Sequence, residues 1–241
     1  MRLLTVAAVS SAFALTLMAA ESKDQVTAAA KKLVGQNYSW TSLTKMEGSQ
    51  FTARPLEGMA DKDGFMCVKQ EFNNNSSEAF LKGTKGVVKT DDGWKTAEEL
   101  TQAAGDGQGR GRGPGRMLLG VKAPAEAVLD LVGKVKELKA GEAGMVSGDL
   151  TEAGAQELLT AGRRARGGQN APPAPKNAKG SVKLWMKDGV LAKYELTVSG
   201  TMAFGQNQEE RDMSRTTTVE IKNVGQTKFE VPAEVKTKLA S

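Results

Sequence analysis

Few side chains in this sequence could do chemistry, and their types exclude more than they allow. The chain has no histidine. Ser-His-Asp and Cys-His catalysis are therefore excluded, as is any His-ligated metal centre. A single cysteine, Cys67, allows no intrachain disulfide and no thiolate cluster for zinc or iron–sulfur. It is expected to be a small buried residue in a strand, the alternative being a reactive thiol. The adjacent carboxylates Glu98-Glu99 and Glu209-Glu210 do not face one another and read as solvated. A Ser-x-x-Lys nucleophile belongs at a helix start, whereas Ser39, Ser42 and Ser181 lie in strand patterns. No phosphate loop, metal motif or dinucleotide fingerprint occurs. The expectation is a non-catalytic chain without cofactor or metal.

One charged cluster remains. Arg110, Arg112 and Arg116 lie in or beside the glycine-rich run from Gly105 to Gly115. Arg-Gly segments can contact phosphate and stack on bases. This one is short, has no neighbouring aromatics and follows an export-type leader, so residues 105–116 are read as a flexible insertion. No nucleic-acid partner is expected.

The elements that would position any binding surface are clearest in the C-terminal third. Val182, Leu184 and Met186 alternate with Ser181, Lys183, Trp185 and Lys187, the period of a half-buried strand. Asp188-Gly189 supplies a type I′ hairpin turn, which needs positive φ at both central residues. The return strand from Val190 puts Ala192, Tyr194, Leu196, Val198 and Met202 on one face. A polar loop spans Gly205 to Asp212. Thr217, Val219 and Ile221 then alternate in a third strand, Ser214 to Val224, and Lys228 to Val231 forms a short exit strand. This antiparallel meander has an apolar face that must be covered.

The best helix pattern covers Ala123 to Leu138, with Pro124 in its first turn and a stripe of Val128, Leu131, Val132, Val135 and Leu138. Met145 to Leu150 reads as a strand. Thr151 caps a second helix ending near Gly162, with Ala155, Leu158 and Leu159 inward. Residues 167–179, rich in proline, form a flexible linker. Upstream, Ser22 to Gly35 reads as a helix and Asn37 to Met46 as a strand with an irregularity before Leu43. Short turn-separated strands follow, including Phe65–Phe72, Glu78–Lys82 and Lys85–Lys89. Thr96 to Ala104 reads as a short helix. Apolar residues make up 39% of the chain and glycine is abundant at 27, which fits a sheet protein with long polar loops.

Residues 1–20 have the layout of a secretory signal: Arg2, an apolar run to Met18, then Ala19-Ala20 before Glu21. A retained membrane anchor is the other reading, disfavoured by the weakly hydrophobic Ala, Ser and Thr content. No cysteine at the cleavage point marks a lipoprotein. The net charge of +5 permits contact with anionic surfaces without demanding it.

The run Gly180-Ser-Val-Lys-Leu-Trp-Met-Lys-Asp-Gly, the segment Gly148-Asp-Leu-Thr-Glu-Ala-Gly-Ala-Gln-Glu-Leu-Leu and the ending Val224-Gly-Gln-Thr-Lys-Phe-Glu-Val-Pro resemble the periplasmic lipoprotein-sorting carriers (LolA-like) and the related mycobacterial lipid-carrier lipoproteins. Trp94 after Asp-Gly fits a mid-chain element of the same pattern. The resemblance implies an α+β fold, a curved antiparallel sheet (an incomplete β-barrel) with helices over its concave face and an apolar cavity between. The insertions at 105–116 and 167–179 depart from that pattern, and no position here matches the sorting carriers' functional arginine.

Residues 21–241 are thus expected to form one half-barrel domain, periplasmic or secreted and monomeric, binding a lipid, acyl chain or lipoprotein with peripheral membrane contact. The ligand-binding candidates are Trp40, Val128, Leu131, Val135, Leu184, Met186, Tyr194, Leu196 and Val198. The other reading of the same residues is a dry core. On that reading the chain is a cell-envelope module with an envelope protein partner.

Overall fold

The computed structural model describes residues 10–48, 54–72, 75–103, 114–161, 173–204 and 207–240. Eleven strands form one antiparallel sheet: β1 Tyr38–Met46, β2 Leu56–Ala60, β3 Phe65–Phe72, β4 Asn75–Lys82, β5 Lys85–Thr90, β6 Gly93–Thr96, β7 Lys139–Ala140, β8 Met145–Asp149, β9 Lys176–Lys187, β10 Val190–Phe204 and β11 Glu209–Lys222. Six helices occur among the described residues: α1 Ser10–Val34, α2 Ala97–Ala103, α3 Pro114–Leu118, α4 Pro124–Val132, α5 Glu152–Thr160 and α6 Ala233–Ala240. The strand order is β6-β5-β4-β3-β2-β1-β11-β10-β9-β8-β7. First and last strands are therefore neighbours, and the sheet is open between β6 and β7. The chain crosses from one edge to the other through α2, α3 and α4. This is the expected α+β architecture with an unclosed sheet.

Strand periodicity sorts the side chains into two cores. One face buries Tyr38, Trp40, Met66, Val68, Leu184, Tyr194 and Val219 against α1, α4 and α5. The opposite face buries Cys67, Phe80 and Val87 against Val231 and the α6 residues Val235 and Leu239. At its β3–β5 end the sheet is thus apolar on both sides, as the double-faced pattern of β3 anticipates. Elsewhere the outer face is polar, with Thr197 and Thr216 in hydrogen-bond contact at 3.1 Å.

The β9–β10 hairpin forms as its turn residues dictate, with φ of 55° at Asp188 and 70° at Gly189. Ala192, expected inward, is the extra residue of a bulge between Leu191 and Lys193. The bulge turns Leu191 into the core instead, at 0% exposure. Leu43 follows no irregularity, because β1 pairs with β11 continuously from Ser39 to Met46. Glu209 to Asp212 belongs to β11 rather than to a loop, and Lys228 to Val231 is irregular rather than a strand. Of the two expected insertions, residues 105–113 and 167–172 lie outside the described residues. Arg116 is in α3, and Lys176–Lys179 open β9.

The helix expected to reach Leu138 ends at Val132 with Gly133 as its C-cap. The Lys134 amide bonds back to the Leu131 carbonyl at 2.8 Å, tightening the last turn. The chain then pairs with the end of β8: Lys136 N–H to the Asp149 carbonyl, Thr151 N–H to that of Lys134, and a Val135–Leu150 bridge. Gly133 is a poor helix former, and these partners satisfy the backbone outside a helix. Val135 and Leu138 are buried from an extended segment. α1 runs unbroken across the expected cleavage point at Ala20–Glu21. Among the described residues no helix is long and apolar enough to cross a membrane.

Candidate functional site

The nine candidate residues come together on one wall. Trp40 comes from β1, Leu184 and Met186 from β9, and Tyr194, Leu196 and Val198 from β10. Val128 and Leu131 face them from α4, and Val135 from the bridge behind it. Seven are buried, while Met186 and Leu196 are partly buried against the same cluster. The sheet side is held in register by uninterrupted β10–β11 pairing, which sets Tyr194 opposite Val219 and Leu196 opposite Thr217. α1 adds Val26, Ala30 and Leu33, and α5 adds Ala155 and Leu159. Neither was among the candidates, although the helical spacing of Val26, Ala29, Ala30 and Leu33 is visible in the sequence.

Most of the wall is closed to solvent. Val128 and Val198 are 0% exposed and Leu184 is 1% exposed. The surface grooves lie mostly elsewhere. One of 380 Å³ runs beside Lys136, Ser147, Asp149 and Lys183. Another of 630 Å³ lies beside Glu47, Lys179, Thr201 and Asp212. A third, of 210 Å³, lies over Thr41, Glu57, Cys67 and Lys69 and touches one candidate, Trp40. None of the three is lined by Val128, Leu131 or Tyr194.

Two polar features cross the boundary between sheet and helices. The first is Tyr38, beside Trp40 with ring centroids 5.7 Å apart. Burial pushes its hydroxyl well above the usual phenol range, opposed by a backbone hydrogen bond from Ala125 and reinforced by Glu126. α4 has no side-chain cap at Ala123, so Tyr38 supplies the partner for a first-turn amide. Burial raises the Tyr194 hydroxyl in the same way, with Tyr38 adding to it.

The second is Arg215. It stands opposite Val198 on β10 and Met46 on β1, on the inner face of β11. Its Nη2 donates to the Leu158 carbonyl in the last turn of α5. Burial lowers its pKa. The sequence signal was available, since Arg215 is in phase with Thr217, Val219 and Ile221. A stripe read by hydrophobicity alone starts at Thr217 and leaves it out.

Groups with catalytic potential are engaged in other ways. Cys67 is 1% exposed, and its thiol is pushed up to about 12 by burial first and then by Glu78. Glu99 accepts the Thr96 amide while Thr96 Oγ1 accepts the Glu99 amide, a reciprocal cap for α2. Glu99 also binds Lys238 of α6 at 2.7 Å, so it is not simply solvated as expected. Glu209 and Glu210 pair with Arg211 and Lys176 on the surface. Among the described residues no group of three or more His, Cys, Asp or Glu could hold a metal ion.

The sequence matches no family model and no curated protein sequence. The fold is similar to solved structures at low identity. LprF from Mycobacterium bovis is 12% identical, with a TM-score of 0.42, covering 90% of this chain and 98% of that one. A LolA-superfamily protein from Nitrosomonas europaea is 9% identical, with a TM-score of 0.36 and coverages of 90% and 96%. A putative outer-membrane lipoprotein-sorting protein domain from Vibrio parahaemolyticus is 10% identical, with a TM-score of 0.35 and coverages of 92% and 100%.

Proposed function

We propose that this chain is an exported, non-catalytic carrier or binding protein for an apolar ligand: a lipid, an acyl chain or a lipoprotein in the periplasm. The observation that carries this reading is the joint between two unlike layers. One side is a sheet zipped by backbone hydrogen bonds. The other is α1, α4 and α5, packed on it largely through apolar side chains. Parting the helices from the sheet leaves the strand ladders intact, so the helical layer is the part that can move. Displacing it exposes Trp40, Leu184, Met186, Tyr194, Leu196 and Val198 on one side and Val128, Leu131 and Val135 on the other. That surface suits acyl chains, which need apolar walls and few polar groups. Arg215 holds α5 at one polar point. In this reading residues 1–20 are removed on export, and N-terminal sequencing of the exported protein starts close to Glu21.

The closed wall favours a second reading, an envelope interaction module with a permanently dry core. Native mass spectrometry of protein purified from a bacterial envelope fraction, before and after organic extraction, separates the two. The carrier releases a lipid-sized mass on extraction and takes it back on incubation with lipid. A single unliganded mass before and after extraction, with no uptake, overturns the carrier.

A further inference from the structure

Arg215 is a charged side chain on the apolar face of the sheet, projecting toward α5. Among the described residues it pairs with no carboxylate, and its described partner is a neutral carbonyl, that of Leu158. A guanidinium has five donor hydrogens in a fixed fork suited to carboxylate or phosphate oxygens. Half-buried charge without a counter-ion is costly and is normally paired. The surroundings of Arg215 change sharply across the strands: Val198 beside it on β10 is 0% exposed, whereas Met46 beside it on β1 is 46% exposed. Towards Val219, four residues on and roughly 13 Å away at strand rise, lie Tyr194 and Leu184, both buried. Beyond Arg215 on the same face lies Met213, partly buried against the same cluster. Thr44 and Thr217, next along the same face, bond to each other through their hydroxyls at 2.9 Å. A cation with a pair of hydroxyls beside it, on its Val219 side, thus sits where the buried β10 side of the face gives way to the exposed end of β1.

We infer that Arg215, with Thr44 and Thr217, receives the anionic headgroup of an amphiphile whose chains lie along the wall. This rests on the carrier reading and names its ligand class. On binding, the headgroup takes over the guanidinium from the Leu158 carbonyl, which frees the end of α5. The competing account is that Arg215 only caps α5, where a cation is favoured by the helix dipole.

The test uses the mature chain and two fluorescent probes with identical chains, a phosphatidic acid and the corresponding diacylglycerol. Inorganic phosphate serves as competitor. The wild type is expected to bind phosphatidic acid at least about 10-fold more tightly, the effect of one or two charge-assisted hydrogen bonds. Arg215→Gln removes that preference, so that its affinities for the two probes agree within about twofold. Arg215→Lys keeps part of it. Equal wild-type affinity for both probes, or a preference surviving in Arg215→Gln, overturns the headgroup role and leaves the carrier standing. Inorganic phosphate displacing the probe at equimolar concentration also overturns it, since the site would then read a free anion. Binding of neither probe overturns the carrier reading as well. If Arg215→Gln does not fold, the wild-type preference and its reduction in Arg215→Lys decide.

Discussion

Replacing Gly58 with alanine puts a methyl group into the ring of Trp40. A Cβ at that position would lie 2.0 Å from Trp40 Cζ2, 2.2 Å from Cε2 and 2.5 Å from Cη2. Carbon atoms pack at about 3.5–4.0 Å, so the ring must retreat by more than about 1 Å. It has nowhere to go: Trp40 is 3% exposed and its ring lies against Tyr38. Overpacking a filled core costs about 1–3 kcal/mol, and a clash with a large rigid ring belongs at the upper end. For a chain of this size, about 3 kcal/mol lowers Tm by roughly 6–12 °C. The assay is thermal unfolding of wild type, Gly58→Ala, Trp40→Leu and the double variant. Trp40→Leu alone destabilises by leaving a cavity, by about 2–4 kcal/mol. The same shortened side chain makes room for the alanine, so the double variant should recover about 1–3 kcal/mol relative to the sum. A Gly58→Ala melt within about 1 °C of wild type, or strict additivity, would refute the β1–β2 register that sets Trp40 against Gly58.

Three further outcomes are expected. Glu99 is held below the usual carboxylate range by its bonds to Lys238 and the Thr96 amide. Its stabilising effect is therefore present above the unfolded pKa and lost as pH falls through the lower folded one. Glu99→Gln should lower Tm at neutral pH and converge with wild type in acid; a constant gap across pH contradicts this. The raised Cys67 thiol has the opposite sign. Its contribution is complete below the ordinary thiol pKa and is lost as pH rises towards about 12. Cys67→Ala should flatten the alkaline fall in stability, and native protein should resist thiol reagents at pH 8; rapid labelling of folded protein would count against it. Tyr38→Phe removes the partner of the Ala125 amide and should cost about 1 kcal/mol, roughly 2–4 °C. An unchanged melt would mean that α4 does not depend on that hydroxyl.

Local chemistry made part of this fold legible. Asp188-Gly189 dictates its own turn, and Thr151 caps α5 by accepting the Gly154 amide at 3.0 Å. The alternation in β9, β10 and β11 sorts their two faces correctly, except at the Ala192 bulge, which no periodicity announces. What failed depends on distant partners. Val135 and Leu138 continue the helical spacing of Val128 and Leu131, yet the chain leaves the helix because β8 offers its backbone better partners. Lys228 to Val231 has strand alternation but no strand beside it, and Val231 is spent on the second core with Phe80. The candidate wall was readable as a set of apolar positions. Arg215 was not, because a stripe sought by hydrophobicity passes over an arginine in phase with it.

The neighbouring of β1 and β11 governs how the chain can be completed. The strand that emerges first from the ribosome must wait some 170 residues for the neighbour on its open side. Until then β1 has one unsatisfied edge, a template for pairing with another chain. Such long-range closure makes folding slow. The two meanders, β1–β6 and β7–β11, can each form early, but their strands are joined only by the final zipper. The covalent link through α2–α4 is then no longer what keeps the halves together: a cut between Ala103 and Pro114 would leave them bound along the β1–β11 ladder.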